Sequence, residues 1–111
     1  MKLEIHKGKS FSAAIALYNE DGTPYNPESG VISSVLFGVK SGEFGELLIS
    51  KVLQYSSAQR AYILSIDPED TEDLLEGVYD YDISYTDGDG GLWDIIPADK
   101  LVILRGVVVN A

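Results

Sequence analysis

The stretch Asp67–Asp99, DPEDTEDLLEGVYDYDISYTDGDGGLWDIIPAD, decides how this chain folds. Its twelve carboxylates are accompanied by no Lys or Arg, yet the apolar residues keep a strict order. A Pro and a cluster of acids open a short helical turn over 69–76, and Gly77 ends it. From Val78 the period is two: Tyr79, Tyr81, Ile83 and Tyr85 share one face, Asp80, Asp82 and Ser84 the other. Asp87-Gly-Asp-Gly-Gly then supplies a hairpin turn, because Gly accepts positive φ without strain, and Leu92–Ile96 returns. Such alternation describes a folded, charged face rather than a solvated tail.

Working outward, the same period recurs. Ser10–Tyr18 places Phe11, Ala13, Ile15 and Leu17 on one side, and Ile32–Lys40 does so with Val35, Phe37 and Val39. Leu47–Leu53, Ala61–Ile66 and Leu101–Val109 are further strands, and Pro97 is expected to interrupt the last hairpin. Asp21-Gly22, Pro24 and Pro27 mark a turn cluster, and Gln54–Gln59 reads as a hairpin connection. About seven or eight short strands, with turns every 8–12 residues, predict an all-β fold: an antiparallel β-sandwich, one domain over residues 1–111.

Composition narrows the function classes. The chain has 111 residues, no Cys, and a formal net charge of −10. Absence of Cys excludes disulfides, thiolate metal sites and cysteine nucleophiles. Residues 1–66 balance six acids against six Lys/Arg, so the charge excess lies in 67–99. A face of that sign repels phosphate backbones and anionic bilayers, which argues against nucleic-acid or membrane partners. It suits a basic protein patch, released as salt screens exposed charges beyond about 8 Å. No apolar run follows the basic start as in a signal peptide, and none is long enough to span a bilayer, so synthesis in a cytoplasm is expected.

The chemistry-bearing residues each carry a bland alternative. Asp87, Asp89 and Asp94, with Asp99, surround the glycine turn as weak metal candidates. An EF-hand register from Asp87 fails, because its sixth and twelfth positions are Leu92 and Ala98 rather than Gly and Glu, leaving an irregular Ca²⁺ site or a solvated hairpin. Asp80 and Asp82 resemble a carboxylate pair able to share acid and base roles, but they stand i, i+2 on an exposed face with no basic residue between them to tune either one, and a solvated strand face is the preferred reading. His6 is the one histidine, with no Ser or Cys partner near it in sequence. No catalytic residue and no cofactor is assigned. Trp93 is either a core residue or an interface anchor, and Tyr85, Asp80 and Asp82 join it as interface candidates. Val107-Val-Val109, apolar on both faces, is either a covered strand or a pairing edge. Leu74, Gly77 and Tyr79 have the spacing of a tyrosine corner, in which the phenol bonds back to a crossing loop; an ordinary core Tyr is the other reading.

Lys7-Gly-Lys-Ser-Phe11 running to Asp21-Gly-Thr-Pro24, then Pro68-Glu-Asp-Thr71, Leu75, Gly77, Tyr79, Tyr81-Asp-Ile83, Asp87-Gly88 and Ile95-Ile-Pro97, resemble the small β-sandwich structural proteins of tailed phages and prophages of Gram-positive bacteria. The likeness extends to the immunoglobulin-like N-terminal domains of baseplate upper proteins. It departs at Leu104–Ala111, where members of that group often carry a short acidic, Thr-containing end. The resemblance implies an immunoglobulin-like fold and a non-enzymatic virion component, located in the baseplate, tail or head and contacting other virion proteins or further copies of itself. A carbohydrate- or Ca-binding β module is the alternative, with a cytoplasmic location as the alternative to the virion. A small hydrolase built on Asp80 and Asp82 is the weakest of the three.

Overall fold

The structure, a computed structural model, describes residues 2–42 and 45–105. It is all-β. Seven strands follow in chain order: β1 (Leu3–His6), β2 (Phe11–Ile15), β3 (Ile32–Lys40), β4 (Leu47–Ser56), β5 (Ala61–Ile66), β6 (Gly77–Asp87) and β7 (Leu92–Leu104). A 3₁₀ turn (Pro27–Ser29) and one helical turn, α1 (Pro68–Glu72), complete it. The order across the sheet is β1-β7-β6-β3-β4-β5-β2. β4 joins the two halves: its Val35-facing part, through Leu53, pairs with β3, while Gln54–Ser56 pair with β5. The sheet coils toward a barrel. β1 and β2 lie at opposite ends of the order, yet they are consecutive in the chain, and Leu3, Ile5 and Ile15 enter the same core.

The core follows the period-two pattern. Val35, Phe37 and Val39 stand opposite Tyr85, Ile83 and Tyr81 on β6, and all but the half-buried Tyr85 are within 1% of complete burial. Phe37 and Tyr81 pack as tilted rings with centroids 5.7 Å apart, and Tyr55 meets Tyr62 edge-on at 5.3 Å. From the second half of the sheet Leu64 and Ile66 close the interior. Each such side chain contributes about 1.5–3 kcal/mol on burial, so this interior is the main stabilising term.

Four expectations are corrected. Gln54–Gln59 is not all connection: Gln54–Ser56 continue β4 and pair with β5, and the turn is confined to residues 57–60. The sheet is mixed rather than purely antiparallel, because β1 lies parallel to β7, with Leu3 opposite Leu101 and Ile5 opposite Ile103. Pro97 does not break β7. The register slips there instead, from Tyr81↔Asp99 to Ile83↔Ile96, and such a bulge accommodates a residue without an N–H. The helix expected over 69–76 stops at Glu72, because Asp73 caps it and the Leu74 N–H bonds back only three residues to Thr71 O.

α1 is held by two contacts that span the sheet. The Thr71 hydroxyl, fully buried, accepts from the Gly8 N–H at 2.9 Å, fixing the β1–β2 turn. Asp70 accepts from the Asp67 N–H at 2.8 Å as a capping box, and Lys51 Nζ reaches Asp70 Oδ2 at 2.7 Å and Asp67 Oδ2 at 3.7 Å. Lys51 occupies an inward position of β4, opposite Phe37, and carries its ammonium to the carboxylates at the start of α1. The carboxylate hydrogen bond raises the Lys51 ammonium above its ordinary range, against partial burial. Partial burial pushes the Asp70 carboxyl up, and the Lys51 and Asp67 contacts outweigh it, leaving that carboxyl below its ordinary value.

Asp70→Asn keeps the capping acceptor but loses the charge, and is expected to cost about 1 kcal/mol; Asp70→Ala loses both and is expected to cost about 2 kcal/mol. A depressed carboxyl stabilises the fold above its unfolded pKa, so the wild-type advantage over Asp70→Asn should be complete at neutral pH and vanish as pH falls well below about 3.9. Urea unfolding midpoints at stepped pH measure both.

Candidate functional site: an open sheet face and an aromatic groove

Outward residues of β4, β3, β6, β7 and β1 form one uncovered face. Its rungs are Val52–Leu36–Ser84, Ser50–Gly38–Asp82, Leu47–Lys40–Asp80–Lys100 and Val78–Val102–Glu4. Leu47, Val52 and Val78 are 51%, 58% and 61% exposed, so aliphatic side chains lie open among the charges. A shallow recess of about 360 Å³ lies over Gly38, bounded by Leu47, Lys40, Asp80, Asp82, Ala98 and Lys100. Glycine matters here by its size: a Cβ would stand 3.3 Å from Leu47 Cδ1 and 3.6 Å from Asp82 Oδ1.

Asp80 and Asp82 are on this face, side by side on β6, but their surroundings differ. Lys100 Nζ donates to Asp80 Oδ1 at 2.5 Å, and that hydrogen bond raises the lysine above its ordinary range. Neither Asp82 nor Lys40 has an ion-pair partner among the described residues. A general acid and base must flank a reacting bond, and here one carboxylate is already engaged by an ammonium at the side of an open, shallow recess.

The glycine turn is a self-contained hairpin end. Asp87 Oδ1 accepts from the N–H groups of Asp89 (2.9 Å) and Gly91 (2.8 Å), and Oδ2 accepts from Trp93 Nε1 at 2.8 Å. These donors, Trp93 first, hold the Asp87 carboxyl below its ordinary range. Trp93 stands opposite Tyr85 and is 54% exposed, so it is neither a core residue nor a free one: its indole N–H ties the turn and part of its ring faces solvent. Among the described residues no three His, Asp or Glu side chains come together in a metal-holding group, and Asp94 points instead into a separate groove.

That groove, about 380 Å³, lies between the β2–β3 connection and β7. Tyr18, Tyr25, Val31 and Tyr85 line it with Asn19, Glu20 and Asp94. The Asp21-Gly22 turn builds one wall: Tyr18 bridges Pro24, Asn19 N–H bonds to Thr23 O at 2.8 Å, and Tyr25 Oη accepts from the Ile32 N–H at 2.9 Å. Sequence reading missed both Gly38 with Lys40 and this tyrosine pair. The available signals were a glycine at an outward position of an alternating strand, and two Tyr flanking a tight turn.

Tyr79 is the third residue of β6, and its Oη donates to Leu75 O at 2.6 Å, four residues upstream. Leu74 is half-buried against the core, and Gly77 has φ +151°, which a side chain would strain. His6 is exposed, with Nδ1 3.2 Å from Arg105 O. Val107–Val109 lie outside the described residues. No described helix is long and apolar enough to cross a membrane. No family model, curated protein or solved structure matches the chain.

Tyr79→Phe should lower stability by about 0.5–1.5 kcal/mol, the usual net worth of one hydrogen bond, read as a shift in the unfolding midpoint. Trp93 is the single tryptophan, so its fluorescence reports on Asp87. An acid titration should show an emission change centred below the ordinary carboxylate value, absent in Asp87→Asn.

Proposed function

We propose that this chain is a non-enzymatic structural or adaptor protein of a phage or prophage particle, acting through protein–protein contacts. The observation that carries this reading is the open sheet face. Leu47, Val52 and Val78 offer apolar area on a rigid scaffold, while Asp80, Asp82, Lys40 and Lys100 give it a charge pattern that can select a partner. The resemblance of Pro68–Pro97 to tailed-phage sandwich proteins supplies the setting: a virion component made in the bacterial cytoplasm and packed against other virion proteins or its own copies.

The finer architecture belongs to the same proposal. An immunoglobulin-like sandwich is supported by the Tyr79 bond back to the β5–β6 connection, by β1 lying parallel on the last strand, and by β4 passing from one ladder to the other.

Density-gradient fractions of particles from a bacterium carrying this gene test the reading. The protein should co-sediment with intact particles in fixed proportion, and Val52→Lys/Val78→Lys should leave it at the top of the gradient while its melting temperature changes little. A wild-type protein that never sediments with particles overturns the proposal.

One observation favours a second reading, a carbohydrate-binding module. The groove combines Tyr18, Tyr25 and Tyr85 with the hydrogen-bonding groups of Asn19, Glu20 and Asp94, the mixture that suits the apolar and hydroxylated faces of a sugar. A sugar bound there at a hundred times its dissociation constant adds about 2.7 kcal/mol to stability. A thermal-shift screen with simple sugars should then show a rise that Tyr18→Ala abolishes, and no rise with any sugar counts against it.

A further inference from the structure

Resting on the adaptor reading, we infer that the face around Gly38 pairs with the same face of a second copy of this chain, in a two-fold symmetric dimer. The charges on the face are self-complementary. Lys40 and Asp82 occupy diagonal positions on neighbouring strands, β3 and β6, since Lys40 stands opposite Asp80 and Gly38 opposite Asp82. The diagonal spans about 8 Å, from strand spacing of about 4.8 Å and two residues of rise at about 3.3 Å. Both ends lack an ion-pair partner within the described residues, whereas Asp80 is already neutralised by Lys100.

A two-fold axis lying between two facing sheets and crossing midway along that diagonal sets Lys40 against the partner's Asp82, and Asp82 against the partner's Lys40. An interface of this isologous kind makes each contact twice. The same operation opposes the two Gly38 hollows, where the missing side chain lets the sheets approach. Leu47, Val52 and Val78 then lose their water around the charged centre.

Size is consistent with a real but modest association. Five strands about 4.8 Å apart and about nine residues long present roughly 600 Å² per copy, or about 1,200 Å² in total, the lower end of stable specific interfaces. The charge pairs are reachable by water, so the dimer should weaken when salt shortens the screening length from about 8 Å to about 3 Å near 1 M.

Sedimentation equilibrium of the full chain from about 5 to about 500 μM reads the outcome. Wild type should move from monomer to dimer across that range. Lys40→Glu and Asp82→Lys should each weaken dimerisation at least about tenfold, by placing like charges opposite. The combined Lys40→Glu/Asp82→Lys chain should recover to within about threefold of wild type, which only a direct reciprocal contact predicts. Melting curves followed at Trp93 confirm that each variant is folded. A wild-type protein that stays monomeric throughout, or a double variant that does not recover, overturns the inference. If wild type is monomeric but Val52→Lys/Val78→Lys still removes it from particles, the face binds another virion protein, so the dimer fails and the adaptor reading stands. If wild type is monomeric and never enters particles, both fail.

Discussion

The continuity of β4 is the constraint on which the structure depends. Leu47–Leu53 of this strand run along β3 and Gln54–Ser56 along β5, so a single backbone carries both ladders. Ile49 and Leu53 of β4 stand opposite Val39 and Val35 and enter the same core as Leu64 and the aromatic pair Phe37–Tyr81. Breaking β4 into two shorter strands would leave two ladders with an interior each too small to offset the entropy of ordering the chain.

Lys51 shows how this constraint reaches the surface. Its position on β4 points inward, and the charge it carries there is met by Asp67 and Asp70. The capping box therefore serves two ends: it starts the helical turn and anchors it to the shared strand. Thr71 and Gly8 add a second tie, so the β1–β2 turn, α1 and β4 are held as a unit. The acidic segment is thus partly neutralised, by Lys51 at its start and by Lys100 on Asp80 near its middle.

Much of this was legible in the sequence because it depends on local pattern. Ile32–Lys40 and Val78–Asp87 alternate cleanly, and each inward residue found its core position. The Tyr79 bond to Leu75 depends only on residues four apart, and the spacing displays it. What was hidden depends on distant partners. Four residues, Leu3–His6, are too few to announce a strand, and their parallel pairing exists only because β7 supplies an edge. Pro97 reads as a break when the chain is viewed alone; the slipped register of β6 against β7 shows how a neighbouring strand absorbs it. The open face escaped notice for the same reason. Gly38, Lys40, Leu47 and Asp82 come from three strands and meet only when the sheet is assembled.

The pairing of Leu3 with Leu101 has a kinetic consequence. The hairpins β3–β4, β4–β5 and β6–β7 close over short loops, whereas β1 must find a strand from the far side of the sequence. During synthesis β1 is made before β7 and cannot pair until that strand exists. Until it docks, β7 presents an unsatisfied edge, and in a crowded cell β1 of one molecule can occupy the place meant for that of another.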